Sequence, residues 1–145
     1  MMYDERFIGP MRQELTRIGF DELRTGAEVD ARLRDAKGTT LLVVNSMCGC
    51  AARNARPAVQ HALERTTARP DQLTTVFAGQ DPEATAQARS YIAGYPPSSP
   101  SIALFKDGQL VHMIERWQIE GRSSDAIAAD LLGAFDKYCA VATSA

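Results

Sequence analysis

The chain has 145 residues, 45% of them hydrophobic and 23% charged, which is the size and composition of one globular domain spanning residues 1–145. Its 16 basic and 18 acidic side chains give a formal net charge of −2 without any basic cluster, so we expect no nucleic-acid partner. The longest strongly apolar run, residues 41–44, is far too short to cross a bilayer, so we expect no membrane partner either.

Two amphipathic helices are predicted before the first strand. The first begins near Pro10 and ends at Gly19. The second begins at Thr25, which has capping-box spacing to Glu28, and ends at Gly38. Apolar residues recur at helical spacing in both: Met11, Leu15 and Ile18, then Val29, Leu33 and Ala36.

Two buried strands and a connecting helix follow. Residues 39–45 and 73–78 are consecutive β-branched and aliphatic residues with little polar alternation, which is typical of strands covered on both faces. Pro57 falls inside the helix between them, so a kink is expected there. The apolar positions of this helix are Ala52, Ala55, Val59, Ala62 and Leu63.

The second half of the chain predicts a helix, a hairpin and a final helix. Asp81 is the expected N-cap of the first helix, with Pro82 at its first position. Residues 101–105 and 109–114 flank Lys106-Asp107-Gly108 and form an antiparallel hairpin. Ser123 or Ser124 caps the last helix. The order α, α, β, α, β, α, β, β, α predicts an α/β protein whose central mixed sheet is flanked by helices, a thioredoxin-like fold with extra N-terminal helices.

The cysteines Cys48 and Cys50 lie directly after the first predicted strand and before a helix. Reactive groups collect at this edge of an open α/β sheet, and the amides of a helix N-terminus stabilise a thiolate. Arg53 and Arg56 are expected to add positive charge nearby. We therefore predict a lowered thiol pKa and a nucleophile, chiefly at Cys48.

Gly49 separates the two cysteines by a single residue. Glycine reaches backbone conformations that other residues rarely adopt, so it allows this short loop to close through a disulfide. The loop is one residue shorter than in Cys-x-x-Cys, so its disulfide is expected to be strained and easily reduced. Such a pair suits thiol–disulfide exchange better than structural stapling.

Other interpretations of the pair stay open. In the first, the two cysteines are small residues buried by chance near each other. In the second, they are ligands in a metal or iron–sulfur carrier that uses the pair across a dimer. In the third, the protein is a redox sensor whose cysteines oxidise without catalytic turnover. The remaining potential ligands are scattered along the chain: Cys139, His61 and His112. We expect Cys139 to be non-catalytic, His61 to lie on the surface and His112 to serve packing.

Pro100 precedes the first hairpin strand. In thioredoxin-like proteins a cis-proline at this point packs against the reactive cysteines and exposes the preceding backbone to substrate. We therefore predict a cis bond between Ser99 and Pro100, although only about 5–6% of such bonds are cis in general.

Several segments together resemble the bacilliredoxins, and the similarity runs from about Tyr3 to Cys139 in the same order. The segments are residues 44–52, 54–57, 75–81, 97–101, 115–116 and 119–121. The resemblance implies a thioredoxin-like fold and exchange on proteins that carry mixed disulfides with bacillithiol. It makes Cys48 the attacking thiol, Cys50 the resolving thiol and Ser99-Pro100 the cis-proline element. It also implies weak disulfide isomerase activity.

The remaining expectations concern location and partners. The N-terminus lacks the apolar core of a signal peptide, so we expect a cytoplasmic protein. We expect no resident cofactor, with bacillithiol or a similar low-molecular-weight thiol as co-substrate. The partners are bacillithiolated or disulfide-containing proteins, contacted through Ser99, Pro100, Arg53 and Arg56, and the protein is a monomer or weak homodimer. Arg53 departs from the small residue expected in the family at this place.

Overall fold

The computed structural model describes residues 3–139, which form five strands and six α-helices. The strands are β1 (Asp21–Glu22), β2 (Thr39–Asn45), β3 (Gln72–Phe77), β4 (Ser101–Lys106) and β5 (Gln109–Ile114). The helices are α1 (Glu5–Thr16), α2 (Gly26–Leu33), α3 (Arg56–Arg65), α4 (Pro82–Ser90), α5 (Arg116–Glu120) and α6 (Ser124–Tyr138). A π-helical turn, Ala51–Ala55, directly precedes α3.

The strands form one mixed sheet in the order β1-β3-β2-β4-β5. The central strand β2 runs parallel to β3 and antiparallel to β4, and all of its residues are buried. The two buried strands and the hairpin predicted from the sequence are confirmed. The edge strand β1 is an addition, because two residues are too few to show a periodic pattern.

Helices cover both faces of the sheet. Leu41 and Val43 of β2 belong to a buried cluster with α3 and α6, whereas Leu42 and Val44 belong to a second cluster with α2 and α4. Alternate residues of a strand point to opposite faces, so a continuous apolar strand needs two such covers. The predicted α/β architecture, a central mixed sheet flanked by helices, is confirmed.

The N-terminal helices differ at their ends from the prediction. Helix α1 begins at Glu5 rather than near Pro10, because the Asp4 carboxylate accepts a hydrogen bond from the Arg6 N–H and caps the helix. The predicted capping box of Thr25 and Glu28 is present at the start of α2. That helix ends at Leu33, short of the predicted end at Gly38.

The segment after the cysteines begins with a π-helical turn that the apolar spacing does not predict. Pro57 lies in the first turn of α3, a position that its fixed φ suits. The wider π-helical turn also changes which side chains face the core. Ala51 is therefore buried and Ala52 exposed, contrary to the predicted apolar stripe.

The hairpin between β4 and β5 turns through Asp107 and Gly108, which have φ values of 50° and 80°. Positive φ at both central residues is the requirement of the tight hairpin turn predicted for this site. At the C-terminal end, Ser123 caps α6 by accepting a hydrogen bond from the Ala126 N–H, as predicted. Within residues 3–139, no helix is long and apolar enough to cross a membrane.

We predict that Phe135→Ala lowers the free energy of unfolding by about 3–5 kcal/mol, because this ring is fully buried between α6 and the sheet. The matched control is Phe7→Ala, since Phe7 is 55% exposed on α1. Urea unfolding of the reduced proteins measures both. Equal losses in the two variants would contradict the assigned core.

Candidate active site

The loop after β2 holds Cys48 through a short chain of hydrogen bonds. The Asn45 side-chain oxygen accepts from the Ser46 N–H at 2.9 Å, and the Ser46 hydroxyl accepts from the Cys48 N–H at 3.1 Å. Asn45 is itself buried at the end of β2. The position of Cys48 is therefore tied to the central strand.

The two cysteines are in direct contact through the backbone. The Cys50 N–H donates to the Cys48 Sγ at 3.3 Å, and the Ala51 N–H donates to the Cys48 carbonyl at 3.0 Å. Both cysteines are half-buried and have free thiols. Cys48 thus lies at the start of a helical segment, where unpaired amides favour a thiolate.

The two thiol pKa values move in opposite directions. Burial opposes ionisation of Cys48, but the N–H and thiol of Cys50, the charge of Arg116 and the Ala51 N–H outweigh it and lower the pKa of Cys48. Burial raises the pKa of Cys50, and the contact with Cys48 and the charge of Glu120 raise it further. The pair therefore contains one thiol that ionises readily and one that holds its proton.

Arg116, at the first position of α5, is the cation that acts most strongly on Cys48, in place of the expected Arg53 and Arg56. Its guanidinium donates to the Ser99 carbonyl at 3.0 Å and pairs with Glu120. No local sequence pattern points to this role, because Arg116 and Cys48 are brought together only by the packing of α5 against the π-helical turn.

Arg56 is buried, with only 3% of its surface exposed, although substrate contact was expected there. It donates to the Asn45 side-chain oxygen at 2.9 Å and to the Ser46 carbonyl at 3.0 Å, and it forms an ion pair with Glu14. These bonds correct the expectation of a substrate-binding residue. Arg56 positions the loop that carries Cys48.

Arg53 is exposed and lies over Gly49. A Cβ atom at Gly49 would come within 2.9 Å of the Arg53 guanidinium, so the missing side chain makes room for it. Gly49 does not have a positive φ while both cysteines are free thiols. The reduced pair therefore does not require the backbone conformations that only glycine adopts easily.

The Ser99–Pro100 bond is cis, as predicted. Ser101, the next residue, pairs with Val44 in the register of β4 and β2, which brings Ser99 beside the end of β2. Pro100 is buried, whereas Ser99 is half-buried. An open groove of about 510 Å³ is lined by residues that include Tyr3, Ser46, Cys48, Arg89, Ser99 and Arg116.

The remaining candidate ligands lie apart from this groove. The buried Cys139 contacts Thr39, at the opposite end of β2 from Cys48. The His112 ring pairs with Asp130 at 2.7 Å, and His61 is a half-buried residue of α3. Across residues 3–139, no group of three or more His, Cys, Asp or Glu side chains is arranged to hold a metal ion.

Several solved thioredoxins have a fold similar to that of this chain. The oxidised thioredoxin of Plasmodium falciparum superposes with a TM-score of 0.57 at 16% identity, covering 84% of this chain and 100% of its own. A mutant thioredoxin from Halobacterium salinarum gives a TM-score of 0.53 at 20% identity, covering 84% of this chain and 92% of its own. At these identities the likeness concerns the fold alone.

Fold and cysteine site together define a thiol–disulfide oxidoreductase of the thioredoxin-like class. A family model described as disulphide isomerase matches residues 3–139. A bacilliredoxin of Salinibacter ruber is 57% identical over 140 residues, 96% of this chain and 82% of the relative. One of Geobacillus kaustophilus is 53% identical over 137 residues, 94% of each. The chain belongs to the bacilliredoxin family, which confirms the resemblance noted from its sequence.

We predict that Arg116→Gln moves the pH profile of Cys48 alkylation to higher pH. Removing the cation raises the pKa of Cys48, so less thiolate is present and iodoacetamide reacts more slowly at low pH. The control is Arg53→Gln, and mass spectrometry identifies the alkylated cysteine. An unchanged profile for Arg116→Gln, or an equal shift in the control, would show that Arg116 does not set the thiolate.

We also predict that Arg56→Met lowers the free energy of unfolding by about 1–3 kcal/mol, because the Asn45 side-chain oxygen and the Ser46 carbonyl lose the hydrogen bonds that the guanidinium donates. Arg53→Met, three positions earlier and exposed, is the matched control. Urea unfolding distinguishes the two. A stability of Arg56→Met equal to that of the control would rule out the positioning role.

Proposed function

We propose that this protein removes a low-molecular-weight thiol, bacillithiol or a close analogue, from mixed disulfides on other proteins. Cys48 attacks and Cys50 resolves. The observation that carries the proposal is the contact between the two residues, in which the Cys48 pKa is lowered and the Cys50 pKa is raised. The name of the relatives, bacilliredoxin, supports the choice of thiol.

The first step is an exchange at Cys48. Its thiolate attacks the sulfur of the small thiol in the mixed disulfide, and a new bond joins the two sulfurs. The bond to the substrate protein breaks, and that protein leaves as a thiolate that takes a proton from water. The lowered pKa of Cys48 supports this assignment, because only the thiolate is nucleophilic.

The second step is resolution by Cys50. While Cys48 is a thiolate, its charge and hydrogen bond help to hold the proton on Cys50. Once Cys48 is in a disulfide, that charge is gone, so Cys50 ionises more readily and attacks the Cys48 sulfur. The small thiol leaves, and both electrons of the dithiol have passed to the substrate's sulfurs. Two equivalents of a low-molecular-weight thiol, which leave as their own disulfide, or one equivalent of a dithiol reductant restore the reduced pair.

Substrate contacts are proposed for the residues around the cysteines. The Ser99 main chain, beside Pro100 and the groove, is suited to pair with an extended segment of the protein substrate. Exposed Arg53 is suited to contact the same segment across Gly49. We place the reaction in the cytoplasm, because it needs a reducing compartment, and we propose no resident cofactor.

We predict that Cys50→Ala, incubated with a bacillithiolated peptide, accumulates one bacillithiol on Cys48, because the first step proceeds and the second is blocked. Cys48→Ala accumulates none and loses all release activity, while the control Cys139→Ala matches the unmodified protein. Intact-mass spectrometry with peptide mapping measures the adducts.

Three other outcomes have distinct meanings. Full activity of Cys48→Ala would overturn the assignment of the attacking thiol. Oxidation of the pair without catalytic release of small thiol would favour the redox sensor. A chromophore, or about one metal per dimer in the purified protein, would favour the carrier.

A further inference from the structure

Two guanidinium groups line the groove that contains Cys48. Arg89 belongs to the last turn of α4 and Arg116 to α5, and both form its wall together with Ser99. Arg116 already has partners, since it donates to the Ser99 carbonyl and pairs with Glu120. Arg89 is the less satisfied of the two.

Arg89 has almost no hydrogen bonds of its own within the described part of the chain. Its Nε is buried there without a partner, and its side chain makes one bond, from Nη2 to the Ser98 carbonyl at a long 3.5 Å. Among residues 3–139, no carboxylate lies within 4.0 Å of this guanidinium. Burial lowers the pKa of Arg89, because it disfavours the charged form. A bound anion would offset that cost through charge-assisted hydrogen bonds.

We infer that Arg89 and Arg116 form an anion subsite beside Cys48 for a carboxylate on the small-thiol half of the mixed disulfide. The inference rests on the proposed function and specifies its substrate: a low-molecular-weight thiol that carries a carboxylate. The groove, at about 510 Å³, lies within the range of roughly 300–1,000 Å³ that small-molecule sites occupy.

The order of bond changes explains why the carboxylate belongs to the small thiol. Attack by the Cys48 thiolate joins its sulfur to that of the small thiol and expels the protein thiolate. The small thiol therefore remains attached to Cys48, inside the groove with Arg89, until Cys50 displaces it. A carboxylate of the protein half departs with the first step, so it has no lasting contact with the subsite.

The test compares mixed disulfides of one peptide with three small thiols: 3-mercaptopropionate (anionic), 2-mercaptoethanol (neutral) and cysteamine (cationic). Peptide release by pre-reduced protein is followed in a single turnover, and each rate is divided by that with free dithiothreitol to remove intrinsic differences in disulfide reactivity. We expect about a tenfold preference for the anionic over the neutral disulfide, falling with added salt.

Arg89→Met is expected to abolish this preference by slowing release from the anionic disulfide to about the rate of the neutral one, and Arg89→Lys to retain part of it. The matched control is Arg65→Met, because Arg65 also lies in the last turn of its helix but not in the groove. A second peptide, with Asp in place of Ser beside its cysteine, tests whether the preference follows the protein half.

Each remaining outcome overturns a defined part of the account. Equal rates for the three disulfides would overturn the subsite while the proposed function stands. A preference that survives in Arg89→Met, or that follows the Asp of the peptide, would also overturn it. Release from none of the disulfides, with thiols that still titrate, would overturn the proposed function together with the subsite.

Discussion

The hydrogen bond from the Cys50 N–H to the Cys48 Sγ is the contact on which the site depends. It needs Cys50 in a helical conformation immediately after Cys48, so the central strand must end and a helical segment must begin within a few residues. That arrangement lowers the pKa of Cys48 and raises the pKa of Cys50, although the two side chains are chemically identical. A dithiol with this asymmetry has a defined order of reaction, because one sulfur is ready to attack while the other retains its proton.

Distant parts of the chain hold this contact in place. Arg56 donates to the Asn45 side-chain oxygen and to the Ser46 carbonyl and pairs with Glu14 of the first helix, so a buried cation fixes the loop. Arg116, from the short helix after the hairpin, lowers the pKa of Cys48 through its charge and also donates to the Ser99 carbonyl. The Arg116 guanidinium thus acts on the Cys48 thiolate, binds the residue before the cis-proline and forms part of the groove wall. This explains how a small, half-exposed pair of cysteines keeps a fixed orientation.

Local signals in the sequence account for much of the fold and for the position of the cysteines. The apolar run of β2, the Thr25–Glu28 capping box and the Asp107-Gly108 turn each act within a few residues, and each is found as predicted. Features decided by tertiary contact are different. The burial of Arg56 depends on Glu14, a partner 42 positions earlier in the chain. Arg116 lies 68 positions after Cys48 by their sequence numbers, so spacing alone does not connect them.

The asymmetry of the two thiols is measured most directly by labelling cysteine with ¹³C at Cβ and following both Cβ resonances of the reduced protein with pH. The account predicts that the Cys48 signal titrates below the range of an ordinary cysteine and the Cys50 signal above it. It also predicts that the Cys50 midpoint falls when Cys48 is replaced by Ala, because the neighbouring charge is removed. Equal midpoints for the two cysteines, or a lower midpoint for Cys50, would contradict the account.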